Sequence, residues 1–260
     1  MVDEHDGRSL PDRVVPERVV PERVVLVTGA NTGIGLATCR ALSRLGCNVL
    51  LGARNRERGE AAVALLRDEG LDVTLQLIDV SDIDSVHAAA QDIDVTHGRL
   101  DTLVNNAAVK TEFHPASPSS TPLQVVRDTY ETNVFGTISV IQAMLPLLHR
   151  SSAGRIVNLS SSLGSFWRAT DLTSRYSEIT LLGYSTSKTA INAITVQFAN
   201  ELRSTHIKVN AVDPGQVATP MNPHAGTPPD DSVAPIVWLA TLPDDGPTAG
   251  FFDEQGPQPW

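Results

Sequence analysis

The sequence predicts an α/β fold in which a doubly wound parallel sheet is covered by helices on both faces. Short β-branched runs alternate with longer segments of helical periodicity along most of the 260-residue chain, and this alternation is typical of right-handed βαβ crossovers. The first strand leads directly into a glycine-rich turn and an amphipathic helix. A chain of this length suits a single domain with a sizeable core.

Six strands and six helices are predicted to alternate, and a weaker strand follows near the end of the chain. The strands are runs rich in Val, Leu, Ile and Thr: Val24–Val27, Asn48–Leu51, Thr74–Ile78, Thr102–Val104, Arg155–Leu159, Lys208–Val212 and the weaker Gly250–Phe252. The helices follow from apolar spacing and cover about residues 34–45, 56–69, 82–96, 123–150, 184–203 and 232–241. Ligands of such sheets bind beyond the carboxyl ends of the strands, so we expect functional residues there.

The N-terminal segment has a different character from the rest of the chain. Residues 13–17 and 18–22 repeat the sequence Arg-Val-Val-Pro-Glu. The prolines exclude a helix and disfavour a central strand. We therefore interpret residues 1–22 as an extended or disordered leader and residues 23–260 as the folded domain.

The composition excludes several classes of function. Twenty Lys and Arg residues oppose thirty Asp and Glu residues, and the net charge of −10 would repel both nucleic acid and an anionic membrane. Two cysteines, Cys39 and Cys47, are too few for a disulfide framework and favour a reducing, cytoplasmic location. No apolar run reaches the roughly 18 residues of a membrane span. The seven histidines lack the spacing of a metal site, so none is predicted.

The glycine-rich turn after the first strand is predicted to bind a pyrophosphate. Glycines permit a tight turn and a close backbone approach, and the N-terminus of the following helix favours an anion. The residues predicted to form this site are Gly29, Asn31, Thr32, Gly33, Ile34 and Gly35.

The end of the second strand bears on which dinucleotide binds. A carboxylate about twenty residues after the glycines would accept a bond from the ribose 2′-hydroxyl of NAD, but Ala53 stands there and Arg54 follows. A guanidinium can bind a 2′-phosphate through two hydrogen bonds. We therefore predict that the dinucleotide is NADP(H), and that Arg58 helps Arg54 to bind its 2′-phosphate. The alternative for Arg54 is a solvated surface arginine.

Tyr184 and Lys188 open a long helical pattern and are separated by one helical turn. Side chains at i and i+4 share a helix face, so the phenol and the ammonium are predicted neighbours. At about 4 Å a cation stabilises a phenolate by up to roughly 4 kcal/mol. We expect the pKa of Tyr184 to be lowered toward neutral pH, where general acid/base catalysis works best. Alone, the pair is also compatible with two unrelated helix residues.

The fifth strand ends in three hydroxyl side chains, Ser160, Ser161 and Ser162. Successive side chains of a strand point to opposite faces, so a slip of one residue changes which hydroxyl faces the site. The residues alone leave the choice among the three open.

Together these motifs resemble those of the short-chain dehydrogenase/reductase family, and of its carbonyl-reductase-like members in particular. The shared motifs, in family order, are Gly29-x-x-x-Gly33-x-Gly35, Asp79-Val80, Asn105-Asn106-Ala107-Ala108, Ser160-Ser161-Ser162, Tyr184-x-x-x-Lys188 and Pro214-Gly215. Ala108 departs from the family's glycine, which affects a loop and not the fold. The resemblance covers residues 24 to about 220 and implies that residues 23–260 form a Rossmann-type, NADP-binding catalytic domain.

The resemblance also implies roles for individual residues. The implied catalytic residues are Asn133, Ser161, Tyr184 and Lys188, with Ser160 and Ser162 as alternatives for the serine. Asn133 matches an asparagine that in the family anchors a proton-relaying water. Beyond the glycine turn and Arg54, the implied cofactor-binding residues are Asp79, Val80, Asn106, Ala107, Tyr184, Lys188, Pro214, Gly215, Val217 and Thr219.

The implied function is an NADP(H)-dependent oxidoreductase that transfers a hydride between nicotinamide and a carbonyl or secondary alcohol, with reduction as the expected direction. The partner is a small molecule, and the family allows a homo-oligomer. The alternative is a non-catalytic, NADP(H)-sensing regulatory protein on the same fold.

Two departures from the family pattern bear on the substrate. The long segment Gly164–Gly183 between the serine and the tyrosine resembles the insertion of carbonyl-reductase-like members and brings in Phe166, Trp167 and Tyr176, which favours a hydrophobic ketone or aldehyde. The same insertion is expected to disturb the helix face through which many relatives form oligomers. The segment after Pro214-Gly215 is short and contains Pro220, Pro223, Pro228 and Pro229, which predicts an open pocket with broad specificity.

Overall fold

The computed structural model describes residues 22–112, 117–222 and 226–260. The predicted leader, apart from Glu22, and Pro223 of the proline-rich segment lie outside the described residues. The assignment of residues 1–22 as a separate leader stays a prediction.

One eight-stranded sheet forms the centre of the molecule, in the order β3-β2-β1-β4-β5-β6-β7-β8. Its strands are β1 (Val24–Val27), β2 (Asn48–Ala53), β3 (Val73–Leu77), β4 (Thr102–Asn105), β5 (Arg155–Leu159), β6 (Lys208–Val212), β7 (Phe251–Asp253) and β8 (Gly256–Gln258). Every neighbouring pair is parallel except β7 with β8. Strand β1 lies between β2 and β4, so the winding reverses there. The predicted doubly wound α/β fold is confirmed.

Eight helices connect and cover the strands in the described part of the chain. They are α1 (Gly33–Arg44), α2 (Arg56–Asp68), α3 (Ile83–His97), α4 (Leu123–Tyr130), α5 (Thr137–Leu148), α6 (Phe166–Thr170), α7 (Leu182–Glu201) and α8 (Ala234–Ala240). Of these, none is both long enough and apolar enough to cross a membrane.

Besides four short 3₁₀ helices among the described residues, the structure adds three elements that the sequence patterns did not predict. The helical pattern at 123–150 is interrupted by a wider π-helical turn, Glu131–Gly136, between α4 and α5. The short helix α6 lies within the insertion before Tyr184. Strand β8 has only three residues and contains Pro257, so it lacks the apolar alternation by which a strand is predicted.

Two apolar layers hold the helices against the sheet. Val25 and Val27 of β1 pack with residues of α1, α2 and α8 on one face. Leu26, between them in sequence, packs with residues of α3, α5 and α7 on the other face. Burial of each such aliphatic side chain stabilises the fold by about 1.5–3 kcal/mol. Because both faces are covered, the accessible polar groups of the central strands lie at their carboxyl ends.

Candidate active site

A cavity of about 330 Å³ opens at the carboxyl ends of the strands, where the winding reverses between β1 and β4. Segments that follow β1 to β6 line it, together with the first turns of α7. Of the residues predicted from sequence, the cavity is lined by Gly29, Asn31, Thr32, Gly33, Ile34, Arg54, Asp79, Val80, Asn106, Ala107, Ser160, Tyr184, Lys188, Pro214 and Thr219. Ser161, the serine that the resemblance implied as catalytic, does not line it, whereas the alternative Ser160 does.

The glycine turn forms one end of the cavity, and its geometry requires glycine. Gly29 and Gly33 have φ values of +62° and +56°, which side chains rarely adopt. A Cβ on Gly29 would lie 2.8 Å from Cα of Ala107, and one on Gly35 would lie 2.7 Å from Cα of Ala30. Gly35 is buried behind the turn and does not line the cavity. The backbone is therefore left bare beside the cavity, as a bound pyrophosphate requires.

The end of β4 fixes the shape of this turn. The Asn106 amide donates to the carbonyl oxygens of Thr28 and Gly29 at 2.8 and 3.0 Å. The Thr28 hydroxyl oxygen accepts from the backbone N–H groups of Asn106 and Ala107, both at 3.1 Å. Helix α1 then begins at Gly33 without a side-chain cap from Thr32. Its first N–H groups therefore remain available for an anion.

The ends of β2 and β3 form the side of the cavity away from Tyr184. Ala53 is buried, and Arg54 is exposed and lines the cavity without an ion pair to any described residue. Arg58 is also exposed but does not line the cavity. Asp79 accepts from the backbone and hydroxyl of Ser81 at 3.0 and 2.6 Å. A free guanidinium with no carboxylate beside it fits the 2′-phosphate of NADP(H).

Tyr184 and Lys188 lie on the first turns of α7, at the opposite end of the cavity. The Lys188 ammonium is 5.6 Å from the centre of the Tyr184 ring and donates to the Leu159 carbonyl at 2.7 Å. The side chain of Lys188 is almost fully buried, and this burial lowers the pKa of Lys188 to about 8. Asp213 opposes that shift with its negative charge.

The expected direction of the Tyr184 pKa was wrong. Burial raises the pKa of the Tyr184 phenol above its ordinary value, and the charge of Asp213 raises it further, whereas the neighbouring Ser161 hydroxyl lowers it. The expectation counted the attraction of a nearby lysine and left out the cost of placing a phenolate in a poorly solvated cleft. Without cofactor, the phenol is therefore the stable form at neutral pH.

The three serines after β5 have different partners. Ser160 donates to Oδ1 of Asn192 at 2.5 Å, and Ser162 donates to Oδ2 of Asp213. Ser161 accepts from the backbone N–H of Leu163 at 3.2 Å, and its hydroxyl lies close enough to Tyr184 to lower the pKa of the phenol. Of the three hydroxyl groups, that of Ser161 is therefore the one next to the phenol.

Asn133 lies in the wide turn between α4 and α5 and does not line the cavity. Its amide accepts from the N–H of Val109 at 2.8 Å and donates to the carbonyl of Val109 at 3.0 Å. It also donates to the Ser187 hydroxyl at 3.0 Å, which itself donates to the carbonyl oxygen of Tyr184 at 2.7 Å. Asn133 thus joins the loop after β4 to the first turn of α7.

The segment after β6 borders the cavity, and its Thr219 lies against the glycine turn, since a Cβ on Gly33 would be 3.1 Å from Cγ2 of Thr219. Gly215, with a φ of +79°, directs its N–H to Oδ1 of Asp213 at 2.9 Å and does not line the cavity. Val217 is buried and bridges to Thr227. Pro214 and Thr219 line the cavity directly.

The aromatic residues of the insertion do not line the described cavity. Phe166 and Trp167 are 67% and 60% exposed. The insertion is held by the C-terminal segment, because the N–H of Trp167 donates to the carbonyl of Trp260 at 3.1 Å and Ser165 donates to that of Pro259 at 3.0 Å. Their expected contribution to a hydrophobic substrate pocket stays a prediction.

Comparisons with known proteins agree with this arrangement. The family model of short chain dehydrogenases matches residues 23–229. The chain is 36% identical over 226 residues to a short-chain dehydrogenase, anuI, of Penicillium roqueforti, covering 84% of this chain and 88% of that one. It is 32% identical over 274 residues to carbonyl reductase [NADPH] 1 of Mus musculus, covering 90% and 97%.

The chain belongs to the short-chain dehydrogenase family. The structure of NADPH-bound carbonyl reductase from chicken fatty liver superposes with a TM-score of 0.80 at 26% identity, covering 93% of this chain and 100% of that one. The resemblance that the motifs indicated is confirmed, and the protein is an oxidoreductase of the carbonyl-reductase-like group.

Two carboxylates of this short-chain dehydrogenase were missed by sequence reasoning. Glu112 accepts from the N–H groups of Gly183 and Tyr184, at 3.2 and 2.8 Å, and thereby caps α7 from a distant loop. Asp213 accepts from Ser162 and Gly215. The only sequence signal for Asp213 is an acidic residue at the end of an apolar strand, and Glu112 lies in a loop with no local pattern.

Proposed function

We propose that this short-chain dehydrogenase is an NADP(H)-dependent reductase of small ketones or aldehydes. The observation that carries the proposal is one cavity with two chemically different ends. Tyr184 and Lys188 line one end, with the Ser161 hydroxyl beside the phenol, and a bare glycine turn with an unpaired arginine forms the other. Relatives named as NADPH carbonyl reductases support this reading.

The predicted cofactor-binding residues divide by the part of the dinucleotide that each would hold. The turn from Gly29 to Gly35 would bind the pyrophosphate, and Arg54 the 2′-phosphate. Asp79 and Val80 would contact the adenine, and Asn106 and Ala107 the adjoining ribose. Lys188 would contact the nicotinamide ribose. Pro214, Gly215, Val217 and Thr219 would border the nicotinamide. The bound cofactor supplies the hydride that the protein itself cannot provide.

The residues around Tyr184 would supply the proton. A pKa raised by burial keeps the phenol protonated at neutral pH, so it can donate to the oxygen of a carbonyl that becomes an alcohol. Lys188, with a pKa of about 8, is mostly cationic at pH 7 and would stabilise the phenolate that forms. Ser161 would orient the same oxygen through its hydroxyl.

The remaining assignments follow from this proposal. A small carbonyl compound or alcohol is the partner, and oligomeric state stays a prediction. Nothing in the site favours the alternative of a cofactor-sensing protein without turnover, because Tyr184 and Lys188 are both present and adjacent.

The test is oxidation of NADPH, compared with NADH, over a panel of ketones and aldehydes of increasing size. We expect NADPH-selective turnover, and a loss of about 10²–10⁴ in kcat for Tyr184→Phe with NADPH affinity retained. Tyr130→Phe, on α4 and outside the cavity, is the matched control and should keep wild-type kcat. Absence of turnover with every carbonyl, or wild-type kcat in Tyr184→Phe, would contradict the proposal.

A further inference from the structure

We propose that Asp213 is a positioning residue of the reaction, which ties the serine loop to the Pro214–Gly215 turn and sets the charge beside Tyr184 and Lys188. This inference rests on the proposed function above. It assigns no contact with the reacting atoms to Asp213.

The contacts of the Asp213 carboxylate join two separate segments of the site. Oδ2 accepts from the backbone N–H of Ser162 at 2.8 Å and from the Ser162 hydroxyl. Oδ1 accepts from the N–H of Gly215 at 2.9 Å. Ser162 directly follows Ser161, whose hydroxyl lies beside Tyr184, and Gly215 directly follows Pro214, which lines the cavity. One carboxylate therefore fixes the serine relative to the turn on the nicotinamide side.

The backbone of Asp213 is held as firmly as its side chain. Its N–H donates to the carbonyl of Phe252 on β7 at 2.8 Å, and the residue is only 6% exposed. Three N–H or O–H donors reach the carboxylate within this buried strand end. A rigid support of this kind is what precise placement of a catalytic hydroxyl requires.

The charge of Asp213 is not neutralised by an ion pair with any described residue. A buried carboxylate outside any ion pair depends on its hydrogen bonds, and three donors supply them here. Its charge acts on Lys188 and Tyr184, raising the pKa of both groups. It thus keeps Lys188 more cationic, and Tyr184 more protonated, than burial and the neighbouring serine alone would leave them.

A second carboxylate near Asp213 provides a control variant for Asp213→Asn. Arg175 of the insertion and Asp253 on the neighbouring strand β7 also interact with its charge. Asp253 contacts neither Ser162 nor Gly215; it accepts from Gln255 and Gln258 and pairs with Arg168. Asp253→Asn therefore removes the same charge from the adjacent strand while leaving the tie between the two segments intact.

The first measurement is the titration of Lys188 by NMR of ¹³C-labelled lysine, which needs no turnover. The chain has only three lysines, Lys110, Lys188 and Lys208, and Lys188→Arg assigns the signal. We expect a wild-type midpoint near 8 and a midpoint lower by roughly 0.5 unit or more in Asp213→Asn. Asp253→Asn should stay within about 0.2 unit of wild type.

The second measurement is steady-state reduction of the best carbonyl substrate over pH. Asp213→Asn should lose about tenfold in kcat with NADPH affinity within about twofold of wild type, and its pH profile should move to lower pH. Ser162→Ala removes one donor to Asp213 but keeps the charge. We expect kcat to fall about threefold in Ser162→Ala without movement of the Lys188 midpoint.

A Lys188 midpoint and a kcat in Asp213→Asn equal to those of Asp253→Asn would overturn the proposal. If Asp213→Asn fails to fold, Ser162→Ala decides, because wild-type kcat in that variant would overturn the positioning role. If the wild type reduces no carbonyl, the proposed function fails, whereas the Lys188 titration still tests the effect of Asp213 on its own.

Discussion

The two ends of the cavity are built in different ways. The glycine turn, Gly29–Gly35, is one continuous segment whose shape follows from glycine conformations and close backbone contacts. The catalytic end is assembled from side chains after β4, β5 and β6, from the wide turn at Asn133 and from the first turns of α7.

Because of this difference, substitutions are expected to act by different physical means at the two ends. At the glycine turn the protein offers backbone N–H groups, which carry no titratable proton, so a substitution acts there through steric clash. At the catalytic end the protein offers a phenol and an amine whose pKa values are both shifted by burial. A substitution acts there through charge and solvation as well as through position.

The largest effect on cofactor binding is expected at the glycine turn. In Gly29→Ala the new Cβ would lie 2.8 Å from Cα of Ala107, at a φ of +62°. Backbone cannot yield as a flexible side chain does, so the turn must open. We expect NADPH affinity to fall by about 100-fold or more, roughly 2.7 kcal/mol, measured by fluorescence titration.

Gly70→Ala is the matched control for this prediction. Gly70 also has a positive φ, +79°, but nothing lies within 4 Å of its added Cβ. That variant should lose about 1 kcal/mol of folding free energy and keep its NADPH affinity. Equal NADPH affinities in the two variants would mean that the steric account of the turn is wrong.

Lys188→Met tests how much the buried lysine at the catalytic end destabilises the folded protein. The pKa of Lys188 is about 8 in the fold and near 10.5 when solvated, so below pH 8 the protein carries a buried cation that destabilises it. We expect Lys188→Met to raise the free energy of unfolding at pH 7 by about 2 kcal/mol while abolishing turnover. Urea denaturation measures the change.

The pH dependence of the free energy of unfolding tests independently whether the pKa of Lys188 is lowered in the folded protein. Between about pH 8 and 9 the unfolded chain holds a proton on Lys188 that the folded chain has lost, so wild-type stability should rise with pH. Above pH 9 the raised pKa values of the buried Cys39 and Cys47 thiols act in the opposite direction, because the unfolded chain loses those protons first. Above pH 10 the raised pKa of Tyr184 acts in the same direction as the thiols. The rise should vanish in Lys188→Met and persist in Lys208→Met; its persistence in both would place its origin elsewhere.

Arg54→Ala tests whether the far side of the cavity selects the cofactor by charge. Loss of the guanidinium should lower the preference for NADPH over NADH by about tenfold, with little change in kcat. The ratio of kcat/KM values for the two cofactors is the measurement. Arg56→Ala, which removes an exposed arginine that does not line the cavity, should keep the wild-type ratio, and an equal loss in both variants would assign the effect to net charge.

The smallest effect is expected at Glu112, which holds the catalytic helix in place. In Glu112→Gln one acceptor oxygen facing Gly183 or Tyr184 becomes an amide donor. We expect a loss of about 1 kcal/mol in stability and about threefold in kcat, with the pH profile unmoved. Glu178→Gln, on the exposed surface of the insertion, is the control. A displaced pH profile in Glu112→Gln would show a role through charge.

Much of the fold was predictable because strand and helix patterns are local. The strands from β1 to β7 were predicted to within a few residues, and β8 was missed because three residues with a proline carry no alternation. The wide turn at Glu131–Gly136 was missed because packing selects it. A Cβ on Gly136 would lie 2.8 Å from the carbonyl oxygen of Val80, and Asn133 binds the backbone of Val109.

At the catalytic end the sequence indicated the residue types but not their partners. It left three serines open, and the structure distinguishes them only through contacts with Asn192, Asp213 and Tyr184. Glu112 and Asp213 escaped notice because their partners lie 71 and 51 residues away in sequence. No local pattern records such separations.

The amino-acid order by itself determined the alternation of strands and helices, the glycine turn and the turn of helix shared by Tyr184 and Lys188, because each depends on residues close together in the chain. Tertiary structure alone decided the directions of the two pKa shifts, the hydroxyl that meets the phenol and the carboxylates that hold the site. Solvation and hydrogen bonding depend on every atom within a few ångströms, and most of those atoms come from distant parts of the chain.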